Sequence, residues 1–350
     1  MNNRQKQHRS PVALFEGAPT SENIVCLHTW GDYPFQHAGQ ALLHGRCGGK
    51  RLAGIYEGFL RDFPIDWLQV RCESSGRENW MPDGSPVRPD IGICHPLKPQ
   101  VFPAPGDFPD INAYFEAVPF AHITEHGDFD HVRILRDRLG PEFAIFPNIG
   151  GPTAELGNSF DEWMITALQK PDKAKENLFR TCREQAFPIA RAAREQGADG
   201  LIFSLGYGGA CDLISPGLLR RICLEPWQEF FAQVKRLGLH PVGYFLGNIL
   251  PYLDIIIETD VSGVMIEESK KGWRLDPLEI RKKLPADMVL FGNLDSQLLL
   301  NGPPASITKE VQYQARARDQ GPFVFINGSP ICPGTPGDNL KVFIDAARCA

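Results

Sequence analysis

Features that mark several large classes of protein are missing from this sequence of 350 residues. It has no apolar run that approaches a membrane span, no strongly basic stretch and no CxxC pair among its 9 cysteines. A net charge of −6 argues against a partner with a phosphate backbone, and scattered cysteines are typical of reduced thiols. Residues 1–10 lack the apolar segment of a secretory signal. We therefore expect a cytoplasmic protein that has neither a membrane nor a nucleic acid as its partner.

Motifs that hold nucleotide phosphates are also missing. No GxGxxG follows an early apolar run, and the glycine pair Gly208-Gly209 does not precede a Lys-Ser or Lys-Thr pair. The composition is otherwise ordinary, since 43% of the residues are hydrophobic and 22% are charged. Such a chain can bury a large core, either as one α/β barrel or as two smaller domains.

A short apolar run that stops at a polar or small residue recurs along the chain. Eight such runs occur, at Ile24–Trp30, Trp67–Glu73, Phe143–Gly151, Gly200–Gly206, Pro241–Asn248, Ser262–Glu268, Met288–Asp295 and Phe323–Ser329. This pattern is typical of parallel strands that are buried on both faces and open onto a polar site at their carboxyl ends. Helix beginnings are indicated between the runs, at Ser159, Pro171, Ser215-Pro216, Asp276-Pro277 and Gly337-Asp338. The helix that begins at Pro171 is expected to continue to Gly197, and the one that begins at Ser215-Pro216 is expected to stop at Gly238. Strands that alternate with helices predict an α/β protein with a parallel sheet, and eight of them predict a (β/α)8 TIM barrel.

The alternative fold, an open doubly wound sheet, would divide the chain in two, but no linker lies near its middle. We therefore expect an N-terminal arm at residues 1–20 and a single barrel domain at 21–350. Residues 74–110 are rich in Pro and Gly and form a long excursion after the second run, which is typical of a lid or pocket wall. Three histidines, His122, His126 and His131, lie in an amphipathic, charged stretch and are expected at the surface.

Four short segments carry a resemblance to a known family. They are Asn148-Ile-Gly-Gly-Pro152, Gly197-Ala-Asp-Gly-Leu-Ile-Phe-Ser204, Gly292-Asn-Leu-Asp295 and Thr335-Pro-Gly-Asp-Asn339. Because of the order and spacing of these segments, the chain resembles the uroporphyrinogen decarboxylase superfamily from about Ile24 onward. That group includes the decarboxylase, corrinoid and coenzyme M methyltransferases and, more distantly, cobalamin-independent methionine synthase. The resemblance implies a (β/α)8 barrel, in agreement with the number of apolar runs.

The chain departs from the decarboxylase branch where the family binds its substrate. That branch has an Arg-Gln-Ala-Gly-Arg-Tyr segment, whose arginines clamp carboxylates, and here His28 and Asp32 replace both arginines. An imidazole and a carboxylate cannot supply a bidentate guanidinium fork. The catalytic Asp of the family falls at Glu73, and its late His falls at Ser329. The resemblance therefore implies that a polyanionic porphyrinogen is a poor substrate.

The chain also departs from the methyltransferase branch, which binds zinc through a His-x-Cys pair and a later Cys. Those positions hold Tyr244, Leu246 and Ser329, and Cys332 lies three residues past the expected place. We therefore expect the zinc site of the family to be lost. A rearranged site for zinc or another metal ion remains open, in which oxygen and imidazole ligands would replace thiolates. Its candidate ligands are His28, Glu73, Tyr244 and Glu267.

His28 and Glu73 are candidate catalytic residues because His28 ends the first predicted strand and Glu73 ends the second apolar run. His28 is either a structural histidine bonded to Asp32, or a general base or ligand. Glu73 either caps the loop that follows or faces the site, as carboxylates at barrel strand ends usually do.

Glu267 is the third candidate catalytic residue. It is followed by Glu268, and alternation along a strand allows only one of the two to point inward. We favour Glu267, because it falls where the family has an acidic residue. Glu268 is expected to be solvated or paired with Lys270 or Lys271.

Candidate substrate-binding residues are the other polar and aromatic side chains near the ends of the runs. Asparagines there suit hydrogen bonds to a neutral oxygen, whereas the two members of the Gly-Asn-Leu-Asp segment could equally hold loops in place. The tyrosines could donate a proton or form a pocket wall. The full set is Trp30, Asp32, Asn148, Tyr207, Tyr244, Asn248, Asn293, Asp295, Asn327 and Ser329.

These observations lead to one main hypothesis and two alternatives. The main one is transfer of a methyl or other one-carbon group from a small, largely neutral substrate to a corrinoid protein or a pterin such as tetrahydrofolate. The first alternative is decarboxylation of a small carboxylic acid, which needs a cation in the pocket from Arg46, Lys50 or Arg71. The second is a non-catalytic relative that binds a ligand or a corrinoid. A homodimer is compatible with each of them.

Overall fold

The computed structural model describes residues 11–17, 23–30, 33–39, 49–71, 129–150, 160–205 and 211–350. Eight strands form a closed barrel in which each strand pairs in parallel with the next one in sequence, and the last pairs with the first. The strands are β1 (Ile24–Leu27), β2 (Trp67–Arg71), β3 (Ala144–Gly150), β4 (Gly200–Ser204), β5 (His240–Phe245), β6 (Gly263–Ile266), β7 (Val289–Leu294) and β8 (Phe323–Asn327). Seven of them lie within the predicted apolar runs and β5 begins one residue before its run, which confirms the predicted (β/α)8 barrel.

Helices fill the described intervals between the strands. They are α1 (Tyr33–His37), α2 (Gly49–Asp62), α3 (Asp130–Leu139), α4 (Phe160–Gln169), α5 (Pro171–Thr181), α6 (Phe187–Glu195), α7 (Pro216–Arg236), α8 (Leu253–Glu258), α9 (Pro277–Arg281), α10 (Ser296–Asn301), α11 (Pro304–Arg318) and α12 (Gly337–Cys349). None of the helices in these described ranges is long and apolar enough to cross a membrane.

Local chemistry sets where several helices begin and end. The side chain of Ser215 accepts a hydrogen bond from the Leu218 amide at 3.3 Å, and that of Asp276 accepts one from the Leu278 amide at 3.0 Å. Both residues therefore cap the helices that were predicted to start there. The predicted end of α7 at Gly238 is also confirmed, and its φ of 75° is a conformation that favours glycine.

The helical segment that follows Pro171 was predicted to continue to Gly197, but the structure interrupts it. A π turn at Cys182–Ala186 separates α5 from α6, and the amide of Phe187 bonds to the carbonyl of Cys182. Pro188 follows and has no amide hydrogen for the regular i→i−4 bond. The wider turn is a common way for a helix to accommodate such an interruption.

Two expectations about the first half of the chain have different outcomes. The Pro- and Gly-rich excursion at 74–110, together with His122 and His126, lies outside the described residues, so its role as a lid remains a prediction. His131 was expected at the surface, but it is fully buried in the first turn of α3. That expectation was wrong because the charged residues of this stretch hid which face of the helix packs inward.

A floor of apolar side chains closes the amino-terminal end of the barrel. Leu14, from a 3-10 turn at Pro11–Leu14, is buried in the central cluster, and Phe15 packs against it. The Phe15 ring lies 4.6 Å from the ring of His240 and 5.8 Å from that of Phe146, measured between centroids. Part of the predicted N-terminal arm, residues 11–17, therefore covers the bottom of the barrel.

Replacement of Phe15 by alanine should lower the free energy of unfolding by about 2 kcal/mol, because it removes half-buried ring contacts at the barrel floor. Urea denaturation would measure this difference. Leu250→Ala, at an exposed position, is the control and should change stability by less than about 0.5 kcal/mol. Equal effects of the two substitutions would mean that the arm does not support the barrel.

Candidate active site

The barrel interior changes from apolar to polar toward the carboxyl ends of the strands, which we call the rim. Side chains alternate along each strand, and every second one points inward. The inward residues near the floor form one apolar cluster that includes Cys26, Trp67, Phe146, Met265 and Phe291. The next inward positions toward the rim hold polar side chains, namely His28, Gln69, Asn148, Ser204 and Glu267. The polar groups of five strands therefore converge at one end of the barrel.

His28 and Tyr244 meet across the barrel, because β1 and β5 lie on opposite sides of the closed sheet. Their rings pack edge to face, with centroids 5.0 Å apart and an interplanar angle of 87°. The Tyr244 hydroxyl donates a hydrogen bond to the carbonyl of Gly328 at 3.0 Å. Burial raises the pKa of Tyr244, and the carboxylates of Glu267 and Glu268 raise it further. The imidazole of the first strand and the carboxylates that follow the sixth therefore share one tyrosine as a neighbour.

His28 is uncharged in this setting. Its side chain is fully buried, and desolvation lowers the pKa of its imidazole from 6.5 to about 3, although the nearby backbone of Gly328 and Asn327 opposes the shift. The backbone of Gly328 and Asn327 lies near the ring, but neither ring nitrogen makes a well-formed hydrogen bond with a described residue. Its backbone is well anchored, since its amide donates to the Asn327 side chain at 2.9 Å and its carbonyl accepts from the Ile331 amide at 3.2 Å. A neutral imidazole offers one donor and one acceptor.

Glu267 is the carboxyl group best placed for acid–base chemistry among the described residues. Its Oε2 accepts a hydrogen bond from the Gly247 amide at 2.7 Å, and Oε1 has no partner in the described part of the chain. Burial raises the pKa of this carboxyl above 4.5, although the Gly247 amide and Lys270 oppose the shift. A carboxyl with a raised pKa holds its proton closer to neutral pH, as a general acid must.

Glu268 is buried rather than solvated, and it is paired with Lys270 as one of the expectations stated. Its carboxylate also accepts a hydrogen bond from the Ser329 hydroxyl at 2.6 Å. Gly328 makes this contact possible, because a Cβ at that position would lie 2.2 Å from the Glu268 amide nitrogen. The hydrogen bond between Glu268 and Ser329 links the loop after β6 to the loop after β8. The charge of Lys270 at the rim is compensated by Glu268.

Most of the candidate asparagines are engaged in hydrogen bonds that hold the rim together. The side-chain amide of Asn293 donates to the backbone carbonyls of Glu267 at 2.9 Å and Leu275 at 3.0 Å. The Asp295 carboxylate caps α10 by accepting a hydrogen bond from the backbone amide of Gln297 at 2.7 Å. Substrate contact by these residues remains a prediction.

Three further asparagines differ in the hydrogen bonds that they make. The side chain of Asn327 donates to the Ser329 carbonyl at 2.5 Å, and that of Asn248 accepts from the Leu250 amide at 3.2 Å. In Asn148, Oδ1 accepts from the Ser204 hydroxyl at 2.9 Å, but Nδ2 is buried and has no partner among the described residues. Asn148 therefore keeps hydrogen-bonding capacity for a ligand.

The positions where the resemblance implies zinc do not fit that metal. The Tyr244 hydroxyl already donates to a carbonyl, Leu246 has no donor atom, and the Ser329 hydroxyl donates to Glu268. The Cys332 thiol accepts from the Gln297 side chain at 3.3 Å, and burial and the Glu268 carboxylate raise its pKa, which disfavours a thiolate ligand. Within the described ranges, no group of three or more His, Cys, Asp or Glu side chains could hold a metal ion. We therefore assign no step to zinc.

Some candidate residues fall outside the part of the chain that the structure describes. They are Asp32, Glu73, Tyr207 and Arg46. Trp30 lies just after β1 and is half-buried. Of the cations required for decarboxylation, Lys50 is exposed on α2 and Arg71 ends β2 at the rim.

The sequence argument missed two residues of the candidate site. Gln69 and Ser204 lie at inward positions of β2 and β4. A signal for Gln69 was available, because it is the polar residue inside the apolar run Trp67-Leu-Gln-Val70. Attention to the residues at the ends of the runs passed over it.

Comparison with known proteins agrees with the barrel fold. A family model described as uroporphyrinogen decarboxylase (URO-D) matches residues 97–349. Uroporphyrinogen decarboxylases of Coxiella burnetii and Novosphingobium aromaticivorans are 26% and 28% identical to this chain over 231 and 230 residues, 63% of this chain in each case. The match spans 62% and 64% of those relatives, which is less than two thirds of their length. A methyltransferase from Methanosarcina mazei superposes with a TM-score of 0.74 over 96% of both chains at 20% identity, a likeness that shows the fold alone.

Proposed function

The chain belongs to the uroporphyrinogen decarboxylase family, and from that premise we propose that it transfers a methyl group from a small, uncharged methoxylated or methylated compound. The acceptor in this proposal is a corrinoid protein or a pterin such as tetrahydrofolate. The observation that carries it is the chemistry of the barrel interior. Its described inward side chains at the rim are neutral hydrogen-bonding groups together with one carboxyl of raised pKa.

The charge of the rim supports a neutral substrate over a polycarboxylate. None of the described side chains that face the interior is a lysine or arginine, and Lys270 at the rim is paired with Glu268. A substrate with several carboxylates would find no counter-charge among these described side chains, and burying such charges unpaired is costly. A methoxylated compound carries no charge that has to be neutralised.

Glu267 supplies the acid that such a reaction needs. When the methyl group leaves the substrate oxygen for a nucleophilic acceptor, the electron pair of the C–O bond stays on the oxygen. A proton from the Glu267 carboxyl then neutralises that oxygen, so the products are an alcohol or phenol and the methylated acceptor. Neutral His28 and Tyr244 would orient the substrate beside this carboxyl, and Glu73 would complete the catalytic set.

A turnover assay tests the reaction. Purified protein would be incubated with 2-methoxyphenol and related methoxylated or methylated compounds, with cob(I)alamin or tetrahydrofolate as the acceptor. The expected result is one equivalent of methylated acceptor for each equivalent of demethylated product, measured by mass spectrometry. Parallel incubations with small carboxylic acids would measure released CO2.

The other outcomes favour the alternatives. Arg71 ends β2 at the same rim, which is the observation in favour of decarboxylation of a small carboxylic acid. Release of CO2 without methylation of any acceptor would favour that reading and overturn methyl transfer. Binding of the panel compounds with no product of either kind would favour a non-catalytic ligand-binding relative.

A further inference from the structure

Three neighbouring inward residues below the rim have polar atoms for which the described residues provide no well-formed hydrogen bond. They are His28, Gln69 and Asn148, which we call the inner polar layer. Leu27 pairs with Leu68, so His28 and Gln69 are side by side on β1 and β2, and Asn148 on β3 pairs with Arg71, one inward position above Gln69. Both ring nitrogens of His28, Oε1 of Gln69 and Nδ2 of Asn148 are buried, and none of them makes a well-formed hydrogen bond with a described residue.

Unsatisfied buried polar atoms are rare and destabilising, so four of them on three adjacent strands need an explanation. The other parts of these three side chains contact residues of neighbouring or facing strands. The Gln69 Nε2 donates to the Met265 sulfur at 3.5 Å, and sulfur is a weak acceptor. The Ser204 hydroxyl occupies Oδ1 of Asn148, and the Tyr244 ring supports the imidazole of His28. These contacts hold the three side chains in place but leave their best hydrogen-bonding atoms unused.

We propose that the inner polar layer is a subsite that takes an uncharged substrate group able to both donate and accept hydrogen bonds, such as a hydroxyl or a carboxamide. The layer offers the matching set, since a neutral imidazole has a donor and an acceptor, Gln69 has an acceptor and Asn148 has donors. Its members are 0%, 1% and 3% exposed, so an ion would be stripped of water there without a counter-charge from the described inward side chains. The subsite rests on the proposed function and specifies its substrate further, because it would bind the part of the substrate that carries the methoxyl group facing Glu267.

The subsite makes Gln69 a specificity-determining residue, and methionine is the substitution that tests it. Gln69→Met keeps the length of the side chain and removes its hydrogen bonds. The matched control is Gln314→Met. Gln314 is also fully buried, but its side chain has hydrogen-bond partners: it accepts from the backbone amide of Asn293 at 3.3 Å and donates to Glu310 at 3.1 Å. A structural glutamine and a ligand-binding one should therefore respond in opposite ways.

The experiment measures binding and stability rather than turnover. Dissociation constants for phenol, benzamide, benzoate and toluene would be obtained by NMR titration, and unfolding in urea would be followed for each variant. We expect phenol or benzamide to bind in preference to benzoate and toluene, and Gln69→Met to raise the Kd of the bound probe about tenfold. Gln69→Met should be at least as stable as the wild-type protein, whereas Gln314→Met should be less stable with an unchanged Kd.

Three results would overturn the subsite. They are failure of both phenol and benzamide to bind, an equal Kd for Gln69→Met and wild type, and a loss of stability in Gln69→Met like that in Gln314→Met. The last would show that Gln69 is satisfied inside the protein. Failure of methyl transfer alone, with probe binding that still depends on Gln69, would reject the proposed reaction and leave the subsite standing.

Discussion

Glu267→Gln is expected to lower kcat for methyl transfer by about 100-fold or more, because general acid catalysis typically contributes at least that much. Glutamine can still accept the hydrogen bond from the Gly247 amide through its Oε1, so the loop should keep its conformation. The substitution therefore removes the proton without removing the contact. Glu279→Gln, on α9 with an exposed pairing to Lys282, is the matched control and should leave kcat unchanged.

The pH dependence of this effect has a defined direction. Burial raises the pKa of Glu267, so the acid form persists above pH 4.5 and is lost as the pH rises through the folded-state pKa. Wild-type kcat should fall over that range, and the residual activity of Glu267→Gln should not follow it. The same shift means that the ionised carboxylate lowers the stability of the folded protein above that pKa, so Glu267→Gln should be no less stable at neutral pH. A variant with kcat within about threefold of wild type would remove Glu267 from the mechanism.

His28→Leu is expected to reduce the acid sensitivity of the fold. The pKa of His28 is 6.5 when the imidazole is unperturbed and about 3 in the folded protein, so between these values the unfolded chain holds a proton that the folded chain does not. The free energy of unfolding therefore falls as the pH drops from 6.5 toward 3, by ~1.4 kcal/mol for each pH unit. Leucine cannot bind that proton, and the variant should retain ~3 kcal/mol more of its stability than wild type at about pH 4.5.

Urea denaturation between neutral pH and about pH 4.5 would measure this difference. Other carboxyl groups titrate in the same range, but they are shared by both proteins, so the difference between the two curves reports His28. Parallel curves for wild type and His28→Leu would mean that the buried imidazole is protonated in the folded state. Neutral His28 could then no longer act as both donor and acceptor.

The barrel could be predicted from the sequence because its strands are buried on both faces. Such strands are continuous apolar runs, and the polar or small residue at the end of each run shows where it leaves the core. Helix boundaries followed where a local rule applies, as at Ser215 and Gly238. The break between α5 and α6 and the burial of His131 were missed, because each depends on how a helix packs against its neighbours.

The candidate site was predictable only in part for a related reason. Strand ends identify residues that reach the rim, and this rule found His28 and Glu267. It could not show that the Asn293 side chain donates hydrogen bonds to loop carbonyls, or that the Asp295 carboxylate caps a helix. Glu73, Asp32 and Tyr207 lie outside the described residues, so their roles remain predictions.

By itself the sequence determined the number and order of the strands, the rim on which the candidate side chains gather and the residue types that stand where the resemblance implies zinc ligands. Each of these follows from residue type and position along the chain. Only the tertiary structure decided which polar groups are left unsatisfied, because that depends on partners from distant strands. Among the described residues, the side-chain oxygen of Gln69 has no partner and its Nε2 contacts only the sulfur of Met265, whereas Glu268 is paired with Lys270 and Ser329. Closure of the sheet creates these contacts, and with them the neutral, buried environment that sets the pKa of His28.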